Sequence, residues 1–492
     1  MALPDTDRLR TLSPDDWRTL GNRIRAISYT AEESEPIRDL GSKASNPFRA
    51  PMAKWHARRV PEPWGLALRM LLLSDPVTET EARAVVDDAL PLERLLEAGL
   101  VVRTAEGTVV SPYMLSVAGG NLILSDNVSS GAEAVIGPGD ATLQLVRASS
   151  PSKRARSALD VGCGAGAVAI LLSPLCDRII ATDISERAVT LARVNVWMND
   201  VTNVEVRSGD LFAPVGGDTF DLVVAQPPFV ARPDDSPRTT FLDGGSRGDE
   251  LALRVLRELR PHLAPGGTAV MLTEWPIVEG EPPLVDRLGD ALEAGDASLL
   301  MVMADAADVR DERCMHYTTL LEPSMDEAWE RHAIRRRDHL ERIQLREICS
   351  GFTVVRRSWD GVPGWTSVAP SRRFSRASVT RGRIEAMIAA RDLDASGSQA
   401  MRVSRLRVAE GVTFTQRTAR FFATFGEDGI SEDMVLDANA MTLLQAVHRA
   451  RTVGEALDHL AASFGQPEVA TEALAVVRNA LLGGLLEVGP SS

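Results

Sequence analysis

Ser157-Ala158-Leu159-Asp160-Val161-Gly162-Cys163-Gly164-Ala165-Gly166 is an apolar run that ends in an acid and breaks into alternating glycines. The run has the length of a buried strand and a helical pattern comes after it, so the glycines occupy a strand-to-helix turn. A nucleotide-binding loop requires that context. Glycine adopts backbone angles closed to other residues and lets a ligand lie against bare main chain. Dinucleotide-dependent oxidoreductases use a similar loop, so the glycines alone do not decide between ligands.

The next strand ends narrow the choice. A second apolar run, Arg178 to Thr182, ends in Asp183-Ile184, where a carboxylate is placed to hold ribose hydroxyls. A third closes at Ser208-Gly209-Asp210-Leu211, and its acid is placed to accept from an adenine amino group. The fourth, Phe220 to Ala225, ends in Gln226-Pro227-Pro228-Phe229. Paired prolines end a strand ladder and stiffen the turn, which fixes the Gln226 amide and sets Phe229 as a planar wall. Such a site suits a planar, weakly nucleophilic nitrogen, where orientation contributes several kcal/mol, up to about 11 at best.

The segments SALDVG, RIIATD, VEVRSGD, FDLVVAQ and TAVMLTEW alternate with helical stretches. That alternation predicts an α/β fold, a Rossmann-like, mostly parallel, seven-stranded sheet with helices on both faces. Met303 to Ile348 reads as a charged helical insertion before a last strand at Gly351 to Trp359. Gly137-Pro138-Gly139-Asp140 either lids the cleft or enters a helix capped by Asp140.

In this order Asp160 to Gly166, Asp183, Gly209 to Leu211 and Gln226 to Phe229 resemble the motifs of Rossmann-type S-adenosylmethionine-dependent methyltransferases. The last motif most resembles the Asn-Pro-Pro-Tyr/Phe loop of release-factor glutamine, adenine-N6 and certain ribosomal guanine-N2 methyltransferases. Phe241-Leu242-Asp243-Gly244-Gly245 with Gly248, and Leu263-Ala264-Pro265-Gly266-Gly267, are similar to the stretch after that loop in the glutamine enzymes. The resemblance covers Ala132 to Trp359. It implies S-adenosylmethionine as cofactor, held by Asp160, Gly162, Cys163, Gly164, Gly166, Asp183, Ile184, Asp210, Leu211 and Gln226. It implies catalytic roles for Gln226, Pro227, Pro228 and Phe229, and methyl transfer to a heteroatom, expected to be nitrogen, of a peptide, protein or small-molecule acceptor. The family's Asn is Gln226 here, so the amide stands one methylene farther out. The Cys163 side chain itself is expected to be a small buried filler rather than a redox group.

Around this core the sequence predicts two further units: residues 1–125, helical with a hairpin about Glu106-Gly107 and winged-helix-like, and residues 371–492, with a closing helix-turn-helix and strand, also winged-helix-like. The methyltransferase domain is expected over 126–370. The outer units are expected to act in substrate recognition, packing or homodimer formation. The alternatives are nucleic-acid methylation at adenine N6 or guanine N2, and a winged-helix DNA-binding regulator that senses S-adenosylmethionine.

A net charge of −14 over 492 residues disfavours a polyanionic partner. The local basic stripe Arg335, Arg336, Arg337, Arg342 and Arg346 is expected to be a solvated helix face. The 4 cysteines lack the spacing of a disulfide framework or a zinc site. His262 and His316-Tyr317 likewise show no metal-ligand spacing and are expected at the surface or in caps, so no metal is expected. No leader or membrane-spanning stretch is expected, which points to the cytoplasm. Tyr113 is expected near the cleft.

Overall fold

The computed structural model describes the chain apart from residues 1–2, 43–49, 88, 128–130, 237, 294, 305, 323, 360–363, 372–378, 418–419, 426–433, 465–468 and 490–492. The basic residues Arg372, Arg373 and Arg376, which the sequence places at the last boundary, lie outside the described residues.

The central sheet is built from β1 (Ala155–Val161), β2 (Cys176–Asp183), β3 (Val204–Ser208), β4 (Phe220–Ala225), β5 (Leu263–Val278), β6 (Ala297–Ala304), β7 (Leu345–Arg357) and β8 (Thr366–Ser371). Its order is β3-β2-β1-β4-β5-β7-β6-β8. All pairings are parallel except those of β7, which runs antiparallel between β5 and β6. The seven-stranded Rossmann-like sheet is therefore present, with an eighth strand on the β6 edge. That strand follows a stretch rich in Gly, Pro and Trp, so its sequence reads as a boundary.

Alternation along the strands explains the two covered faces. Ala158, Ile179, Leu222 and Val270 point into one buried cluster, and Leu159, Ile180, Val223 and Ala269 into the other. Helices α1 (Asp140–Ser149), α2 (Ala167–Leu172) and α3 (Glu186–Met198) flank the first strands. The later connections carry α4 (Glu250–Leu259), α5 (Leu284–Leu292) and the hairpin α6 (Arg310–Leu321) and α7 (Glu327–Arg342). This hairpin is the charged helical insertion expected between Met303 and Ile348.

The N-terminal helices are locally specified. Ser13 and Asp16 form a capping box on Pro14–Ala26, and Thr78 and Glu81 form another on Glu79–Val86. The hairpin Val102–Arg103 with Val109–Val110 is present about Glu106-Gly107. A second hairpin, Met114–Ala118 with Asn121–Ser125, turns on Gly119 and Gly120, both in left-handed backbone, and lies on α3.

Two amides on α3 bind this hairpin as a strand would. Asn195 accepts from the Leu124 amide at 2.7 Å and donates to the carbonyls of Leu124 and Ala165 at 2.9 Å each. Asn199 accepts from Leu122 and donates back to its carbonyl. A buried ion pair, Arg187 to Asp126 at 2.5 Å, adds to the contact. Asn195→Ala would leave three buried backbone groups unsatisfied, at about 1 kcal/mol or more each. Urea unfolding should show a loss of about 3 kcal/mol; a loss below about 1 kcal/mol would show that water replaces the amide.

At the other end, α8 (Arg381–Ala395) joins the sheet to the C-terminal residues. Its Asp392 takes both Nη atoms of Arg356 at 2.6 Å and the Trp365 indole N–H at 2.8 Å. The helix also contacts α1, Gly397–Val403, Val469–Leu482 and Leu486–Val488, the strand that pairs antiparallel with Leu406–Val408.

Candidate functional site

The ends of β1 to β4 open on one cavity of about 370 Å³. Its lining brings together Asp160, Gly162, Cys163, Gly164, Asp183, Ile184, Asp210, Leu211, Gln226, Pro227 and Pro228. Two sequence-derived candidates stand apart. Gly166 caps α2 in left-handed conformation (φ +79°), where a Cβ would approach Ala192 at 3.1 Å. Phe229 faces away from the cavity into a second, smaller chamber.

The glycine loop is pinned to the next strand. The Gly162 and Cys163 amides both donate to the Thr182 carbonyl, at 2.8 and 2.9 Å. Gly162 (φ +72°) and Gly164 (φ +53°) have left-handed backbone, and a Cβ on either would meet nothing within 4 Å. Side chains there would project into open space at the cavity floor, so glycine serves both the turn and close approach of a ligand.

Asp183 orders this loop. One oxygen accepts from the Gly164 amide and the other from Ser185, both at 2.9 Å. Burial raises its carboxyl above the ordinary value, against those bonds. Ile184 beside it is 64% exposed, an uncovered apolar group at the cavity edge. Asp210 is held in an ion pair with Arg254 of α4 at 2.7 Å. An adenine amino group would share that carboxylate with a guanidinium.

Asp160 is 3% exposed and accepts from the Ala169 amide at the start of α2. Burial pushes its carboxyl up to about 7, and the nearby Asp183 charge adds to the rise. The unfolded chain ionises this acid near about 4, so between about pH 4 and 7 the folded state holds a proton that the unfolded state has lost. The favourable contribution is complete at the acid end and is lost as pH rises to about 7. Asp160→Asn should flatten the decline in urea stability from pH 5 to 7; parallel profiles would show that Asp160 titrates normally.

The Gln226 side chain makes no hydrogen bond to the described residues, and its amide is available at the cavity. The loop beyond it is stapled from behind. Val230 donates to the Leu242 carbonyl and Arg232 to Gly245, at 2.9 Å each, and Val230–Ala231 pairs parallel with Asp243–Gly245. Gly244 and Gly248 permit this approach. A Cβ on Gly244 would lie 2.6 Å from the Pro228 carbonyl oxygen, and one on Gly248 2.5 Å from that of Phe229.

The other side of Phe229 meets the α6–α7 hairpin. Tyr317 packs edge-on against its ring, with centroids 6.5 Å apart. The Tyr317 hydroxyl donates to Glu274 at 3.1 Å; this buried acid also binds Arg313 at 2.7 Å and Ser350 at 2.9 Å. Tyr317 is therefore buried against the loop, which corrects the surface or cap role expected for it; His316 is exposed. Helical spacing does not reveal a partner 43 residues away.

The remaining candidate residues take the following positions. Arg337 and Arg346 pair with acids, as a solvated face would, whereas Arg336 turns inward toward the chamber. His262 stacks on Phe212, outside the cavity. Tyr113 is buried but does not line the cavity. Gly137 and Pro138 do line it, and the Asp140 side chain makes no capping bond. All four cysteines are free and buried. Among the described residues there is no metal-holding cluster and no helix long and apolar enough to cross a membrane.

Residues 139–273 match the family model of the methyltransferase small domain. A release factor glutamine methyltransferase of Xylella fastidiosa is 34% identical over 134 residues, covering 24% of this chain and 47% of that protein. An inferred protein N5-glutamine methyltransferase of Methanocaldococcus jannaschii is 30% identical over 138 residues, covering 27% and 68%. A ribosomal protein uL3 glutamine methyltransferase of Bradyrhizobium diazoefficiens is 36% identical over 121 residues, covering 22% and 38%. The chain thus spans about half the length of the first of these relatives.

Proposed function

The chain belongs to the Rossmann-type S-adenosylmethionine-dependent methyltransferases, and from that premise we propose that it transfers the cofactor's methyl group to a nitrogen of a peptide or protein acceptor in the cytoplasm. The observation that carries this reading is the convergence of the glycine loop, Asp183 and the Gln226-Pro227-Pro228 turn on one cavity. Its volume of about 370 Å³ lies in the range of small-molecule sites.

The residues present fit the cofactor. Gly162 and Gly164 offer bare main chain, Asp183 offers lone pairs to ribose hydroxyls, and Ile184 offers an apolar surface to a purine face. Asp210 reaches the same end through its pair with Arg254. When bound, S-adenosylmethionine supplies an activated methyl on a sulfonium, a good leaving group. The protein's part is then orientation. The Gln226 carbonyl accepts from the acceptor's N–H, the two prolines fix that amide, and Phe229 stiffens the loop from behind. Loss of one positioned hydrogen bond of this kind costs about 100-fold in rate.

Gln226→Ala should therefore lower transfer of tritiated methyl to components of a cell extract about 100-fold, with S-adenosylhomocysteine affinity unchanged. Gln226→Asn should fall between the two. Equal labelling by wild type and Gln226→Ala would remove this amide from the reaction.

The relatives named for glutamine methylation in release factors and a ribosomal protein favour a protein acceptor here. The outer units, 1–125 and 371–492, then serve acceptor recognition or assembly, including formation of a homodimer. Nucleic-acid methylation is the second reading. The ion pairs of Arg337 on α7 and of Arg346 at the start of β7 weigh against a phosphate-binding stripe there.

A further inference from the structure

Behind the Gln226 loop lies a chamber of about 30 Å³, between Phe229 and Ala231 on one side and the α6–α7 hairpin on the other. That volume holds about two water-sized groups. Much of its wall is apolar, with Phe229, Leu340 and Ile348, and charged side chains complete it.

Most of those charges are already satisfied. Glu274 is taken up by Arg313, Tyr317 and Ser350, and Arg247 by Glu281 and Asp249. Arg336 differs. Its Nη1 is buried without a hydrogen-bond partner. Asp243 and Glu322 attract it, but among the described residues neither comes within ion-pair distance. The Asp243 Oδ1 is itself buried and unpartnered.

A guanidinium keeps its proton under all ordinary conditions, so burial cannot neutralise it. An uncompensated buried charge is costly, and the planar fork of arginine is matched to two oxygens held side by side. The chamber has room for about two such atoms. Phe229, which forms its wall, directly follows Pro227 and Pro228, which line the large cavity. A group in the chamber is thus one residue along the loop from the cofactor cleft.

We propose that this chamber binds a carboxylate of the acceptor through Arg336, so that the methylated molecule carries an acidic group close to the reacting atom. The proposal rests on the reading of the Gln226 loop as the acceptor platform. An acidic peptide and a free small acid present the same chemistry.

The test is calorimetric titration of the full chain, with and without saturating S-adenosylhomocysteine. The probes are glutarate and Ac-Ala-Glu-Ala-NH2, compared with glutaramide and Ac-Ala-Gln-Ala-NH2 at constant ionic strength. At least one acid should bind tenfold or more tightly than its amide, and Arg336→Gln should abolish the difference. The peptide acid as the tighter ligand identifies a peptide source, and glutarate a free acid. Acid and amide binding alike to the wild type, or a preference that survives in Arg336→Gln, overturns the proposal. The wild-type comparison stands even where the variant fails to fold. Absence of S-adenosylhomocysteine binding would instead count against the cofactor reading, and the titration without it still tests the chamber.

Discussion

Gly244→Ala should reduce methyl transfer about 100-fold while leaving S-adenosylhomocysteine affinity within about threefold of wild type. The new Cβ would lie 2.1 Å from the Gly248 carbonyl oxygen and 2.6 Å from that of Pro228, both rigid main-chain atoms. Such contacts force the backbone apart by about 1 Å, a misplacement that near reacting groups costs about 100-fold. The moved atoms belong to the acceptor loop, and Gly244 does not line the cofactor cavity. Gly217→Ala is the control, because a Cβ there meets nothing within 4 Å in ordinary backbone. Labelling assays on the two variants check the prediction. Gly244→Ala activity equal to that of Gly217→Ala would mean that the loop does not position the acceptor.

Asp183→Ala should weaken S-adenosylhomocysteine binding about 100-fold. The carboxylate fixes the Gly164 and Ser185 amides and lines the cavity, so its removal both loosens the glycine loop and deletes an acceptor for the ligand. A hydrogen bond to a charged group contributes about 1.5 to 3 kcal/mol, and the loss of one corresponds to about 10- to 150-fold. Asp183→Asn retains one acceptor oxygen and should fall between. Fluorescence or calorimetric titration would measure this, and undiminished affinity in Asp183→Ala would place the ribose elsewhere.

Much of the cofactor half of this site is legible in the chain because it is local. Strand, acid and glycine turn lie within ten residues at Ser157 to Gly166, and the next two strands also end in an acid, Asp183 and Asp210, before the fourth ends in Gln226-Pro227-Pro228. The resemblance of Phe241 to Gly248 to the glutamine enzymes also acquires a physical reason, since Gly244 and Gly248 allow main chain to staple the Gln226 loop. Features decided by long-range packing are not legible. Tyr317 of α6 reaches Glu274 of β5, Asp210 is claimed by Arg254, and Arg336 turns inward from a helix whose neighbours Arg335 and Arg337 pair with acids. The eighth strand takes its place from its pairing with β6, and the second N-terminal hairpin lies on α3, in both cases through contacts distant in sequence.

The most direct measurement is calorimetric titration of S-adenosylmethionine into the full chain, with NAD as the competing ligand. One S-adenosylmethionine per chain, displaced by S-adenosylhomocysteine and unaffected by NAD, is the expected result. Absence of binding, or displacement by NAD, would contradict the assignment of the cleft formed by Asp160, Gly162, Gly164 and Asp183.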